Sequence, residues 1–230
     1  VGFKRDRASF ETLAYQAIVN PGAPSAGDNL YAVGKNLGTG VQMTGIARID
    51  TQGSLTTTNN ALDVAIEGAG YFQIQMPDGT TGYTRAGDFN LSPEGTIVTP
   101  DGMPIQPQIQ IPADATGISI GVDGTVSASV AGQSEATNLG QIEIARFVNP
   151  SGLRSIGNNL LLETGASGAP QVGIAGQDGR GSLRAGALES SNVNVVEELV
   201  DMIETQRAYE VNSRMIQATD EMMQNATQQL

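Results

Sequence analysis

The spacing of apolar residues changes twice along the chain and predicts three kinds of structure. Between Ala8 and Ile18 the apolar positions recur at intervals of three and four, which predicts an amphipathic helical stretch. Pro21 is expected to stop this helix. From Asn20 to Gly40 the composition shifts to Pro, Gly, Ser, Ala and Asn, which indicates a loop or flexible arm.

The region from about Gly45 to Leu188 has the period of β structure. Apolar residues alternate with polar ones from Leu62 to Ile66 and from Phe72 to Met76, so one face of the resulting sheet is expected to be solvated. Turn signals separate the short strands: Pro77-Asp78-Gly79, Pro93-Glu94-Gly95, Pro100-Asp101-Gly102 and Val122-Asp123-Gly124. Together they predict an antiparallel meander, barrel or sandwich.

The last segment, from Ser191 to Leu230, contains neither Gly nor Pro and predicts one long helix. Asn194, followed three residues later by Glu197, resembles a capping box at its start. Apolar residues recur every seven positions and form a seam along the helix, with further apolar residues on both sides of it. The resulting apolar surface is broader than a two-stranded coiled coil requires. The residues that we predict to mediate self-assembly are Val195, Leu199, Met202, Ile203, Tyr209, Val211, Met215, Ile216, Met222, Met223 and Leu230.

Three coverings remain open for this terminal helix: other copies, the rest of this chain, or a segment upstream of Val1. Helices of neighbouring copies would bury it if it belongs to an assembly, and we expect it to be largely unfolded without such contacts. Alternatively, it docks on the β region of its own chain. The shift of its apolar flanks along its length favours several partners.

These elements give a mainly β fold with terminal α structure. One or more antiparallel β domains are inserted between an N-terminal helical stretch and a long C-terminal helix of the coiled-coil type. We predict a helical inner domain from residues 1–20 and 189–230, an arm and connecting β region from 21–60 and 164–188, and an outer β domain from 61–163.

Composition narrows the functions open to the chain. The formal net charge is −12, so an anionic surface is expected to repel nucleic acid and anionic membranes. Cysteine and histidine are absent, which removes the usual nucleophiles, general bases and zinc ligands. No apolar run approaches the roughly 18 residues of a spanning helix, so no lipid insertion is expected. We predict no catalytic residues, no metal site and no cofactor.

Three passages of the chain resemble the flagellar rod and hook proteins. They are the opening Val1-Gly2-Phe3-Lys4-Arg5, the middle passage from Asp63 to Phe89, and the passage from Ser191 to Glu210. The residues that carry the resemblance are Gly2, Phe3, Lys4, Gly68, Gly70, Phe72, Tyr83, Arg85, Gly87, Phe89, Asn194, Glu197 and Glu198. The arm, with Pro21, Gly22, Gly38 and Gly40, is similar to an insertion found in the rod and lacking in the hook protein.

The resemblance implies a structural role in the bacterial flagellum. It implies a periplasm-spanning rod of the basal body, in which terminal helices surround an export channel and β domains lie outside them. Its expected partners are further copies in a helical polymer, the proximal rod, the hook, the surrounding rings and the cell wall. It also implies export without a cleaved signal peptide, and a first helix upstream of Val1.

Two other functions remain open. A hook-type subunit of the same family would form a flexible joint instead of a stiff shaft. An extracellular β-rich adhesin or enzyme with a trimeric coiled-coil tail would need no polymer at all.

Overall fold

The computed structural model describes residues 1–26, 29–130 and 135–228. The chain forms two compact units, Val1–Ser191 and Asn192–Leu230. The regular structure of the first unit, among the described residues, consists of short strands and one 3-10 helix. The first seven are β1 Asp6–Thr12, β2 Gln16–Val19, β3 Pro24–Ala26, β4 Asn29–Leu30, β5 Lys35–Leu37, β6 Val41–Arg48 and β7 Leu55–Thr57.

The middle strands are β8 Val64–Glu67, β9 Tyr71–Gln75, β10 Thr81–Thr84, β11 Asn90–Leu91, β12 Ile97–Val98, β13 Ile105–Gln106, β14 Ala115–Ile120 and β15 Thr125–Val130. The last strands of the unit are β16 Thr137–Gln141, β17 Glu143–Arg146, β18 Arg154–Gly157, β19 Leu160–Leu162, β20 Gln171–Ile174, β21 Ser182–Ala185 and β22 Ala187–Glu189. A short 3-10 helix, Pro150–Gly152, precedes β18. All of the strand pairs among the described residues are antiparallel, which confirms the mainly β, antiparallel character predicted from the sequence.

A seven-stranded sheet forms the centre of the first unit. Its order is β18-β19-β10-β9-β17-β20, and β13 also pairs with β9. Phe72 and Ile74 of β9 and Ile144 of β17 are fully buried on one face and belong to the main hydrophobic core. The separate three-stranded sheet β14-β15-β16 contributes Val126 to the same core. The alternation that begins at Phe72 is therefore the inner face of this sheet, whereas the one that ends at Ile66 lies in β8, which pairs with β21.

The opposite face of β9 is also covered, contrary to the expectation that it is solvated. Gln73 is only 8% exposed, and Tyr71 is buried beside it. The ring of Phe147 meets Tyr71 edge-on at 6.0 Å and Tyr83 edge-on at 4.8 Å between centroids. Aromatic residues from elsewhere in the unit thus pack over the polar face of β9. The periodicity of β9 alone does not predict this packing.

Each of the four predicted turn signals forms a hairpin loop of one design. The glycine amide donates to the carbonyl three residues earlier, and the glycine φ lies between 81° and 90° at Gly79, Gly95, Gly102 and Gly124. This is a type I turn followed by a left-handed residue, a position that favours glycine because it lacks a Cβ. The turn chemistry predicted from the sequence is confirmed at all four places.

The predicted helix from Ala8 to Ile18 is wrong. Residues of this stretch form β1, which pairs with β6, and β2, which pairs with β5. Phe10 lies opposite Met43 and Thr12 opposite Val41, so the strand partner lies some thirty residues away in sequence. The three-and-four spacing suits a helix, but pairing with a β-prone partner overrides local periodicity.

Part of the predicted loop from Asn20 to Gly40 is also strand. Beyond β2 the hairpin continues as β3 paired with β4, and β5 returns along β2. Tyr31 exchanges backbone hydrogen bonds with the segment Gly22–Ala23, at 2.8 and 2.9 Å. The described residues from β1 to β6 therefore form a long two-stranded hairpin, and residues 27 and 28 of the predicted loop lie outside the described residues.

The second unit is the predicted terminal helix. Helix α1 spans Val195–Gln228, with Glu197 and Glu198 in its first turn, where carboxylates favour the helix dipole. The Asn194 side chain accepts a hydrogen bond from the Val196 amide at 3.1 Å, which confirms its role as the cap. The described residues do not show the predicted coiled coil, and the three-part domain division stays a prediction.

Candidate functional site

Three buried charged residues from distant parts of the sequence meet in the first unit. Lys4 lies before β1, Arg85 follows β10 and Glu189 ends β22; they are 7%, 8% and 1% exposed. The Glu189 carboxylate accepts from the Lys4 ammonium and, at 2.7 Å, from the Arg85 guanidinium. We call these three residues the ion cluster. Two cations face one buried carboxylate, so the cluster depends on Glu189 for its neutralisation.

All three nitrogen atoms of the Arg85 guanidinium donate hydrogen bonds. Besides Glu189, it donates to the carbonyl oxygens of Gly70 at 2.6 Å, Gly68 at 2.6 Å and Ile66 at 3.1 Å. The Gly68 and Gly70 carbonyls belong to the turn between β8 and β9, and Ile66 lies in β8. The planar fork of arginine can reach acceptors on several sides at once, which a lysine cannot do. Arg85 therefore fixes the conformation of the Gly68–Gly70 turn as well as neutralising Glu189.

The opening residues of the chain are held against the same place. The amide of Gly2 donates to the Glu189 carbonyl at 3.0 Å, and Lys4 donates to the Thr51 carbonyl at 2.8 Å. Gly2 has φ +67°, and a Cβ there would lie 2.7 Å from the Ala86 amide nitrogen. The amide of Gly53 also donates to the Glu189 carboxylate, at 2.9 Å. The ion cluster thus joins the first residues of the chain to the segment that leads into the terminal helix.

The groups around Glu189 stabilise its negative charge. Burial by itself raises the pKa of this carboxyl group, but the hydrogen bonds from Lys4, Arg85 and the Gly53 amide outweigh burial and hold its pKa below the ordinary value. Glu189 is therefore ionised at neutral pH, and its stabilising effect is lost only on acidification.

Asp50 lies beside the ion cluster in the opposite electrostatic situation. Burial raises its pKa, and the hydrogen bond with Tyr71 and the nearby charges of Arg48, Lys4 and Arg85 only partly oppose this. Its Oδ1 atom is buried and has no hydrogen-bond partner among the described residues. Burial raises the pKa of the Tyr71 hydroxyl, and the neighbouring Asp50 carboxylate raises it further. An ionised Asp50 thus costs the folded state some stability.

Asp50→Asn is expected to raise the melting temperature at pH 7 by about 2–4 °C, which corresponds to about 1 kcal/mol for a unit of this size. A carboxyl whose pKa is raised on folding destabilises the protein above that pKa, and this cost vanishes below the unfolded value of 3.8. The higher melting temperature of Asp50→Asn should therefore disappear as the pH falls to about 3.8. Calorimetry at pH 7 and pH 3.5 measures it.

Asp114→Asn is the matched control, because Asp114 is exposed and the same charge is removed there. A melting temperature that falls in Asp50→Asn at pH 7 would mean that the attraction of Asp50 to Arg48, Lys4 and Arg85 exceeds the cost of burying it.

The residues predicted to mediate self-assembly lie on α1 with exposed side chains. Along the seven-residue seam, Val195 is 68% exposed, Met202 54%, Tyr209 76%, Ile216 64% and Met223 64%. The flanking residues are exposed to a similar extent: Leu199, Ile203, Val211, Met215 and Met222. Leu230 lies outside the described residues. The described seam is thus an uncovered apolar surface of the single chain.

The other residues singled out in the sequence fall into structural roles. Phe72 and Phe89 pack edge-on in the main core with their centroids 5.0 Å apart, and Gly87 accepts the Val64 amide through its carbonyl at 2.9 Å. Phe3 is 52% exposed. In the arm, Pro21 and Gly22 form a turn, and Gly38 and Gly40 lie where β5 leads into β6; all four are exposed.

The described residues contain no group of three or more acidic side chains placed to hold a metal ion. None of the helices in residues 1–26, 29–130 and 135–228 is long and apolar enough to cross a membrane.

Two family models match segments of the chain, and each segment contains a residue of the ion cluster. The flagellar hook protein FlgE/F/G D1 domain matches residues 65–128, and the flagellar basal body rod FlgEFG protein C-terminal region matches residues 184–229. Arg85 lies in the first matched segment and Glu189 in the second, so their ion pair joins the two. Lys4 lies in neither.

Whole-chain relatives agree with these matches. The flagellar basal-body rod protein FlgG of Buchnera aphidicola from Acyrthosiphon pisum is 50% identical over 227 residues, which cover 99% of this chain and 87% of the relative. FlgG of Caulobacter vibrioides is 46% identical over 100% of this chain and 88% of the relative. FlgG of Bacillus subtilis is 40% identical over 97% and 86% respectively.

The chain belongs to the FlgG family of flagellar basal-body rod proteins. It is a structural subunit of the flagellar rod and localises to the basal body, as predicted from the resemblance. Its FlgG relatives are named for a part of a structure and not for a reaction.

Glu189 is the functional residue that sequence reasoning missed. Lys4 and Arg85 were singled out through the flagellar resemblance, but Glu189 follows Leu188 in a short strand and carries no motif of its own. In the sequence, Glu189 directly follows the apolar pair Ala187-Leu188. It directly precedes the polar residues that lead to α1. With 24 acidic residues in the chain, this position was too weak a signal to select it.

Proposed function

We propose that the chain is a distal rod subunit that self-assembles into a rigid, hollow, helical drive shaft. The shaft transmits torque from the motor to the hook and encloses the export channel. The exposed seam of α1 carries this proposal, because a row of large apolar side chains on a long helix is stable only when other helices cover it.

The ion cluster supports the mechanical part of the proposal. Torque passes between terminal helices and β domain only if the connection between them is stiff. Lys4, Arg85 and Glu189 tie the chain segment before α1 to the β8–β9 turn through several charge-assisted hydrogen bonds. Such bonds are about twice as strong as neutral ones and fix direction as well as distance.

Electron microscopy of the purified full-length protein tests the proposal. Straight hollow tubes that lengthen with protein concentration are expected. Curved tubes would indicate the hook-type alternative. Closed particles of fixed size, measured by sedimentation at rising concentration, would indicate the trimeric adhesin or enzyme and would refute the shaft.

The arm from Asn20 to Gly40 is proposed to contact neighbouring copies and keep the shaft straight. Tyr31 and Val33 are 39% and 78% exposed, and neither hydrophobic core cluster contains a described residue of the arm. Replacing residues 20–34 by an Asn-Gly turn keeps Val19 and Lys35, which are register partners, joined in a hairpin. The shortened protein is expected to form curved or short polymers.

The melting temperature of the shortened monomer is the control for that experiment and is expected to stay within about 2 °C, because surface changes away from the core have small effects. If the polymers remain straight and of full length, the arm does not stiffen the shaft.

The remaining partners follow from the same proposal. The shaft joins the proximal rod at one end and the hook at the other, and it passes through the surrounding rings and the cell wall. The chain is proposed to reach its place by export without a cleaved signal peptide, as an unfolded chain whose terminal helix becomes ordered on assembly.

A further inference from the structure

Four aspartates of the chain are each followed by a glycine: Asp78, Asp101, Asp123 and Asp178. At such a step the backbone nitrogen of the glycine can attack the side-chain carboxyl carbon of the aspartate, because glycine has no Cβ to hinder the approach. The reaction rearranges the backbone without an enzyme. Its rate depends on how freely the carboxyl group can turn toward that nitrogen, and the four steps of this chain differ in that freedom.

Asp78 and Asp123 are held by the threonine two residues later. Oδ1 of Asp78 accepts hydrogen bonds from the Thr80 amide at 2.9 Å and from the Thr80 hydroxyl at 2.6 Å. Asp123 accepts from the Thr125 amide at 3.0 Å and from the Thr125 hydroxyl at 2.8 Å. Aspartate side chains in turns bond the backbone two residues on in this way. To reach the glycine nitrogen, either carboxyl group would have to give up both hydrogen bonds.

The same hydrogen bonds keep these two carboxyl groups ionised. The hydroxyl and the amide of Thr80 lower the pKa of Asp78, and the amide and the hydroxyl of Thr125 lower the pKa of Asp123. A carboxylate is a poorer electrophile than a carboxylic acid, because its negative charge repels the attacking nitrogen. Position and charge therefore both slow the attack at Asp78 and Asp123.

Asp101 occupies the same place in a hairpin loop of the same design, but its loop lacks the threonine. Met103 stands two residues later and has no hydroxyl, and its amide donates to the Thr99 hydroxyl at 3.2 Å instead of to Asp101. The Asp101 carboxylate accepts from the Asn158 side chain at 3.3 Å, and both residues are exposed. This hydrogen bond is longer than those from the threonines. Asp101 is thus less restrained than Asp78 and Asp123.

Asp178 is restrained by an ion pair. Its Oδ2 atom accepts from the Arg180 guanidinium at 2.7 Å, and the same guanidinium donates to the Ile174 carbonyl at 3.1 Å. The Arg180 side chain is only 9% exposed, so it is a fixed partner for the carboxylate. Turning the Asp178 carboxylate would break a charge-assisted hydrogen bond. Among the four aspartates, Asp101 has the weakest hold on its carboxyl group.

We propose that Asp101 is a site of spontaneous isomerisation to isoaspartate. The Gly102 nitrogen forms a bond to the side-chain carboxyl carbon of Asp101, and the amide proton leaves with the hydroxyl of the acid as water, which closes a five-membered succinimide. Water then adds to this ring. Opening at the main-chain carbonyl carbon gives isoaspartate, whose backbone runs through the former side chain, and opening at the other carbonyl carbon restores aspartate. No atom is gained or lost overall.

Mass spectrometry of the aged protein tests this assignment. The full-length protein is kept at neutral pH for several weeks and digested, and isoaspartate at the four positions is quantified from fragment ions that distinguish it from aspartate. Position 101 is expected to isomerise at least about tenfold faster than positions 78 and 123, because a hydrogen bond to a charged group is worth about tenfold or more in rate. Equal rates at positions 101, 78 and 123, or a faster reaction at position 178, would overturn the proposal.

The same measurement in concentrated urea separates the effect of the fold from that of the local sequence. Each position is the same aspartate–glycine step, so the four rates are expected to become similar when the hydrogen bonds of the folded state are lost. If position 101 leads by the same factor in urea, the fold does not select it and the proposed cause is wrong.

Thr80→Val tests the protective hydrogen bond directly. Thr80 is exposed, and valine keeps its shape while removing the hydroxyl that donates to Asp78. The rate at position 78 is expected to rise about five- to tenfold. Positions 101 and 123 of the same variant are the internal controls and should keep their rates. An unchanged rate at position 78 would show that the threonine does not protect its aspartate, which removes the reason for selecting Asp101.

Discussion

Glu189→Gln is expected to destabilise the β unit by about 3–5 kcal/mol, because removing one partner of a buried ion pair leaves uncompensated charge behind. Lys4 and Arg85 would lose the one carboxylate that both of them contact, and only Asp50 would remain nearby to oppose their charge. For a domain of this size the loss corresponds to a fall in melting temperature of about 6–20 °C. Calorimetry at pH 7 measures the transition. Glu163→Gln, which removes an exposed carboxylate, is the matched control.

The pH dependence identifies the cause of this loss. Because folding lowers the pKa of Glu189 below its ordinary value of 4.5, its stabilising effect is complete above that value and is lost as the pH falls through the lower, folded pKa. The difference between the wild-type protein and Glu189→Gln should therefore be full at pH 7 and shrink below pH 4.5. If Glu189→Gln melts like Glu163→Gln at pH 7, the cluster contributes no net stability.

The ion cluster also connects the two ends of the β unit, as the proposed drive shaft requires. The residues that meet at Glu189 are separated by 104 and 185 positions in sequence. Their contact holds the segment before β1 against the segment before α1. A load applied to one segment therefore reaches the β domain through Arg85 and the turn that it holds.

Local chemistry decided how much of the fold could be predicted. The hairpin turns were predictable because each depends on one glycine with positive φ and the few residues before it. The terminal helix was predictable because Asn194 caps it and no Gly or Pro interrupts the next 34 residues. In both cases the determining residues lie within a few positions of each other.

Long-range contacts decided what could not be predicted. The spacing of Phe10, Leu13 and Ala14 fits a helix, and only the pairing of β1 with β6 places Phe10 in a strand. Gln73 was expected to face solvent because nothing near it in sequence shows that Phe147 and its neighbours cover that side. Glu189 was missed for the same reason, since its partners Lys4 and Arg85 are distant.

Ile216→Glu is expected to abolish assembly while leaving the single chain intact. Ile216 is 64% exposed, so the change should alter monomer stability by no more than about 0.5 kcal/mol. In a polymer the same position would be buried between helices. The variant would then lose the burial of isoleucine, about 1.5–3 kcal/mol, and would also bury an unpaired carboxylate at further cost. Sedimentation velocity over a range of concentrations of the full-length protein measures the effect.

The expected loss is at least about 3 kcal/mol per contact, which raises the concentration needed for growth about a hundredfold or more. Gln217→Glu is the matched control, because it adds the same charge on the adjacent residue, about 100° around the helix and on its polar side. Growth should be nearly unchanged in that variant. If Ile216→Glu and Gln217→Glu grow alike, the seam is not buried in the polymer. The stiffness of the shaft would then have to come from contacts of the β unit and the arm alone.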